Sequence, residues 1–140
     1  MTNPRDKYAV DRAAEKQGAV VRVDDMEFTV RSCGESNRGF RYAMGLAANR
    51  RRSELQAADE TTAYDIHESL MIQAFADCVV LGWKNVSNGD GHELPFNREE
   101  CVRLLEDCPK VWGIIRDAAH DEERFRPLAV KEDGEQLGKS

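Results

Sequence analysis

Residues Leu81 to Asn97 read LGWKNVSNGDGHELPFN, and the fold of the chain turns on this stretch. Asn88-Gly89 and Asp90-Gly91 are tight-turn dipeptides, because Gly takes positive φ freely and Asn or Asp nearly so. Leu94-Pro95-Phe96 cannot continue a helix, since Pro lacks the donor and pushes Leu94 toward extended geometry. Asn97, with Glu100 three residues on, has the pattern of a capping box that starts a new helix. The stretch therefore predicts a short, hairpin-like extended arm between two helices.

Upstream, Glu60 to Leu81 has the pattern of a long amphipathic helix. Ala63, Ile66, Leu70, Ala74 and Leu81 fall near one line when projected at about 100° per residue. Met71, Phe75 and Cys78 widen the stripe to half the circumference, while Asp65, Glu68 and Ser69 lie opposite. That geometry predicts the central helix of the domain. Downstream, Arg98 to about Asp107 carries Cys101, Val102 and Leu105 at helical spacing. Pro109 suits the first turn of a separate helix, whose apolar face is Val111, Trp112, Ile115, Ala118 and Ala119.

Nearer the N-terminus, the β-rich runs Ala19–Val23 and Met26–Val30 flank Asp24-Asp25, which is a hairpin signal. Met26, Phe28 and Val30 alternate with Glu27, Thr29 and Arg31, so one face is expected to be buried. A lone hairpin is marginal in water, so it must pack on the helices, and the Glu60–Leu81 helix is the expected support. Phe40 to about Leu55 reads as one further helix, capped by Ser36 or Asn37. Arg38, Arg41 and Arg50-Arg51-Arg52 concentrate positive charge on it; they suit either a helix C-terminus or an acidic-partner or phosphate site. Met1 to Gln17 is polar, a short surface helix or a loose arm. Lys131 to Ser140 is polar and aperiodic and is expected to be disordered.

The expected fold is α+β: a mainly helical single domain with an N-terminal β-hairpin and a short extended arm between helices. Residues 1–127 form the domain and 128–140 a flexible tail.

Composition narrows the function. A net charge of −6 argues against general affinity for nucleic acid or anionic membrane. No run approaches the roughly 20 apolar residues of a membrane span, nor does the N-terminus carry an apolar signal core, so a soluble protein is expected. Cys33, Cys78, Cys101 and Cys108 show no metal-ligand spacing and read as reduced thiols, the last three among apolar core positions. A calcium loop aligned on Gly91 puts Val86 at the first ligand position and Asn97 at the bidentate one, so it fails at both ends. His67, His92 and His120 form no paired motif, and nucleophile elbows and phosphate-binding glycine loops are absent. No catalytic, cofactor or metal residues are assigned, and a non-enzymatic role is expected.

The ordered set Leu81-Gly82-Trp83-Lys84-Asn85-Val86, Asp90-Gly91, Leu94-Pro95-Phe96-Asn97-Arg98-Glu99, Leu104-Leu105-Glu106-Asp107-Cys108-Pro109 and Phe125-Arg126 resembles the tail assembly chaperones of long-tailed bacteriophages. Asp6-Lys7-Tyr8-Ala9, Glu15-Lys16-Gln17-Gly18 and Gly34-Glu35-Ser36-Asn37 extend the resemblance toward the N-terminus, so it covers the chain to about Pro127. The resemblance implies binding to the tape-measure protein and tail-tube protein in the host cytoplasm, and absence from the mature virion. It also implies self-association along the partner. A minor frameshift-extended form, slipping near Gly138-Lys139, is a further implication. The alternative is a minor tail-tip or tail-completion protein of the virion. Trp83, Leu94, Phe96 and Trp112 are the candidate partner-binding residues; the three aromatics are better suited still to anchoring the arm to the helices.

Overall fold

The computed structural model describes residues 1–9 and 16–125. The expectations for the tail from residue 128 and for the extended product fall outside these residues. After a short surface helix α1 (Pro4–Tyr8), capped by Asn3, the chain forms β1 (Ala19–Val23) and β2 (Met26–Val30). Helices α2 (Arg38–Arg50), α3 (Arg52–Ala57) and α4 (Glu60–Cys78) follow. The remaining elements are β3 (Val80–Lys84), α5 (Arg98–Asp107), α6 (Pro109–His120) and a 3-10 turn, Glu122–Phe125. This is the expected α+β domain.

The hairpin forms in the register its alternation dictates: Val23 faces Met26, Val21 faces Phe28, and Ala19 faces Val30. Asp24 takes the turn with φ of 55°, a conformation Asp tolerates better than most residues. Phe28 and Val30 are completely buried.

The central helix is shorter than its apolar stripe. It stops at Cys78, and Val80–Lys84 is a strand rather than a last helical turn. β3 pairs antiparallel with β2, completing a sheet of order β1-β2-β3. A bulge opposite Thr29 and Val30 accommodates Leu81, which is 43% exposed despite its place on the helical line. The physical reason is the free edge of β2. Its donors and acceptors need partners, and Val79-Val80 and Trp83 are strand-forming residues close enough to supply them. Arg31 N–H donates to the Val79 carbonyl at 2.8 Å at the start of this pairing.

Helix α6 packs on β1 and β2, while α4 meets the sheet through β3 and lies between α2 and α5. Helical support for the hairpin thus comes from α6 rather than from the central helix, which reaches the sheet through β3. Flanked on several sides, α4 buries Ile66, Leu70, Ile72, Ala74, Phe75 and Ala76, more of its circumference than one stripe. A second correction concerns the Arg-rich helix, which is not continuous to Leu55. Its axis breaks at Arg51, with φ −110° and ψ 18°. No α3 residue is fully buried, so little packing holds the two segments on one axis.

Asn37 decides between the two candidate caps. Its Oδ1 accepts from the Phe40 N–H at 3.1 Å, and its Nδ2 donates to the carbonyls of Ser32 at 2.7 Å and Cys78 at 3.1 Å. One side chain, 2% exposed, therefore joins the loop after β2, the start of α2 and the end of α4. Replacing it with Ala is expected to lower stability by about 2–4 kcal/mol, from a lost cap and two buried carbonyls left without their donor. Asn37→Asp keeps the cap acceptor but turns a carboxylate toward two carbonyls, and should be no less damaging. Urea unfolding of the two variants checks both; a tolerated Asn37→Asp would mean that the cap alone matters.

Candidate partner interface

Three of the four residues singled out in the sequence come together at the base of the arm. Trp83 Nε1 donates to the Leu94 carbonyl at 2.7 Å, and the Phe96 ring meets the Trp83 ring edge-on at 4.9 Å. On its other side Trp83 meets Phe28 of β2, with ring centroids 6.2 Å apart. Leu94 and Phe96 are half-buried, and Trp83 is 9% exposed. Main-chain bonds between Leu94 and Val86 at 2.6 Å and between Asn88 and His92 at 3.0 Å close the arm as a small hairpin. Its tip is exposed and held by local bonds: Gly89 N–H to Ser87 Oγ and Asp90 N–H to Asn88 Oδ1. Gly89 and Gly91 both have positive φ there. Asn85 fastens the arm to the β1–β2 turn by donating to the Asp25 carbonyl at 3.1 Å. Asn97 then caps α5 by accepting from the Glu100 N–H at 2.9 Å, as the sequence indicates.

Trp112 belongs to a different aromatic set. It meets Phe75 at 4.7 Å, and Phe75 in turn meets Phe40 at 5.3 Å, both edge-on. At 4% exposure its indole is a core element. Its Nε1 donates to Glu68 Oε1, which also accepts from Arg116 at 3.1 Å, and the Arg116 guanidinium lies 5.5 Å from the Trp112 ring centre. Glu68 therefore does not simply face solvent. A buried indole N–H needs an acceptor, and the carboxylate one helix away supplies it.

A surface feature that the sequence reading missed lies between α2, α4 and the start of α5. It is a groove of about 240 Å³ lined by Ala43, Leu46, Ala47 and Arg50 of α2, Leu70, Gln73, Ala74 and Asp77 of α4, and Arg98. Three alanines keep the helices close without filling the space between them. Arg98 closes one side by pairing with Asp77 at 2.5 Å. The signal in the sequence was an absence: between Ser36 and Ser53 the acidic chain has no Asp or Glu.

The cysteines are free thiols: Cys33 and Cys101 are buried, Cys78 and Cys108 half-buried. Burial pushes the Cys33 thiol up to about 11, and burial with the nearby Asp77 charge pushes Cys101 up to about 12. Burial likewise raises Cys78. Among the described residues no group of His, Cys, Asp and Glu is placed to hold a metal ion, and no helix is long and apolar enough to cross a membrane.

A family model described as YdaY prophage protein matches residues 35–136, which include both the arm and the groove. No curated protein and no solved structure matches the chain.

Two outcomes follow from the geometry. Trp83→Ala removes the residue that joins β2, β3 and the arm, so it should lower stability by ~3–5 kcal/mol. A melt that is unchanged while partner binding falls would instead make Trp83 a contact. The raised thiols give the second outcome. A thiol held neutral by the fold favours the folded state fully below its unfolded value near 9, and that contribution is lost as pH rises toward about 12 for Cys101. At about pH 8 a thiol reagent should therefore leave Cys33 and Cys101 unmodified in native protein and reach all four cysteines in denaturant. Rapid native labelling of Cys101 would contradict the packing of α5.

Proposed function

We propose a role in tail assembly for this chain, which belongs to the YdaY prophage protein family and is therefore a phage-related protein. It acts as a tail assembly chaperone that binds the tape-measure protein and promotes polymerisation of tail-tube protein around it. The ordered motif set from Gly82-Trp83 to Phe125-Arg126, in a chain of phage origin, carries this reading. The arm and its anchors are built from those motif residues, and the groove lies within the family-matched span.

The physical task is to cover apolar stripes temporarily. A long helical tape measure exposes such stripes until the tube encloses it, and exposed apolar patches associate indiscriminately. A domain that meets them through one small groove makes a contact below the roughly 1,200 Å² of a stable interface, so each copy binds weakly and leaves readily. Many copies along one polymer restore occupancy by avidity. No bond is made or broken, and the protein needs no cofactor. It works in the host cytoplasm and is left behind when the particle is finished.

Co-expression of the full chain with the tape-measure protein of the same prophage should give a soluble complex that co-purifies. Mass spectrometry of purified particles should find tape-measure and tube proteins without this chain. Recovery of neither tail protein contradicts the proposal. Presence of the chain at full copy number in particles favours the minor tail-tip or tail-completion protein.

A further inference from the structure

Helix α2 carries an exposed surface that the fold does not use. Phe40 is its one buried residue, whereas Tyr42 is 72% exposed and Leu46, one turn later, 37% exposed. Leu46 is also a wall of the groove, which continues through Ala43 and Ala47 to Leu70 and Ala74 of α4. At about 240 Å³ the groove is smaller than the roughly 300–1,000 Å³ of small-molecule sites, and it is open along the helices. That shape fits the side chains of another helix laid across it.

Charge identifies which helix. The chain as a whole is acidic, yet the groove's own lining carries two guanidiniums, Arg50 and Arg98, against one carboxylate, Asp77. Arg51 pairs with Glu54, and Arg52 donates to Asn49 Oδ1 at 2.6 Å. Arg50 is exposed and forms no ion pair among the described residues, whereas Arg98 is paired with Asp77. Charges separated by more than the ~8 Å Debye length at physiological salt are screened, so Arg50 at the groove wall, not the net charge, sets the field there.

We propose that the α2–α4 groove is the docking site for an amphipathic helical segment whose apolar stripe enters beside Leu46 and whose flanking carboxylates face Arg50. This names the surface and the partner chemistry for the chaperone role, and it rests on that role only for the origin of the segment, the tape measure.

The test uses the full chain and two fluorescent helical peptides with the same leucine stripe, one flanked by glutamates and one by lysines. The acidic peptide should bind, and the lysine-flanked one should bind about tenfold more weakly or worse. Leu46→Glu and Arg50→Glu, both at accessible positions, should each weaken the acidic peptide by a similar factor while thermal melting stays unchanged. Equal binding of the two peptides, binding of neither, or binding unaffected by Leu46→Glu overturns the proposal. A wild-type dimer in sedimentation that Leu46→Glu makes monomeric also overturns it, since the occupant is then a second copy. Tape-measure protein that co-purifies equally with wild type and Leu46→Glu overturns the groove but leaves the chaperone role standing. Peptide binding at the groove without tape-measure co-purification supports the groove and removes that role.

Discussion

The fold depends on one buried amide. Asn37 sits where three chain directions meet: the exit from β2, the first turn of α2 and the last carbonyl of α4. Each place leaves a backbone group that its own element cannot satisfy. Helix starts lack acceptors for their first N–H groups, and helix ends lack donors for their last carbonyls. An amide accepts through its oxygen and donates two N–H bonds, whereas a Ser hydroxyl has one donor and an Asp carboxylate none, so neither can replace it in full. Its three bonds are individually modest, at about 1 kcal/mol net each, but each buried group left unmade costs about 1–3 kcal/mol. That asymmetry makes Asn37 a fixed joint.

The groove follows from where that joint lies. Helix α2 is held at its N-terminal end by Asn37 and Phe40, and Phe40 continues into the Phe75 and Trp112 ring stack. Further along, α2 leans on α4 only through half-buried Ala43, Met44 and Ala47. Small side chains at that distance from the anchored end leave the two helices in contact but do not seal them. Arg98 reaches across from α5 to Asp77, which closes one margin with an ion pair rather than with apolar packing. An exposed pair of this kind contributes little stability, so this edge yields easily.

Local chemistry was legible in the sequence, and pairing across distance was not. The hairpin follows from Asp24-Asp25 and the alternation of Met26, Phe28 and Val30; Asn97 and Pro109 mark the starts of α5 and α6. β3 was missed because Leu81 continues the helical stripe of α4, whereas its pairing partner, β2, is about fifty residues upstream. Periodicity records what one face of one element would bury and cannot register a free strand edge elsewhere. Glu68 shows the same limit. Its spacing places it opposite the apolar line, but its acceptor role is set by Trp112, which α6 brings to it. The α2 break and the groove were hidden for a related reason: both arise from packing that is absent, and no residue type marks that.

The large aromatics are already engaged by the fold itself. Interface anchors are usually Trp, Tyr or Arg in central, desolvated pockets. Here both tryptophans already have neighbours on several sides, with Trp83 between Phe28 and Phe96 and Trp112 between Phe75 and Arg116. Their indole N–H groups are also taken, by the Leu94 carbonyl and by Glu68. Moving either outward would open a cavity and strand a polar group at once. What remains accessible at the groove is Leu46 and Arg50, enough for orientation by charge and one shallow apolar contact. Such a surface gives fast, salt-sensitive association and short residence rather than tight binding. Under the proposed tail-assembly role, a protein that covers a growing polymer and then yields to the tube needs that balance.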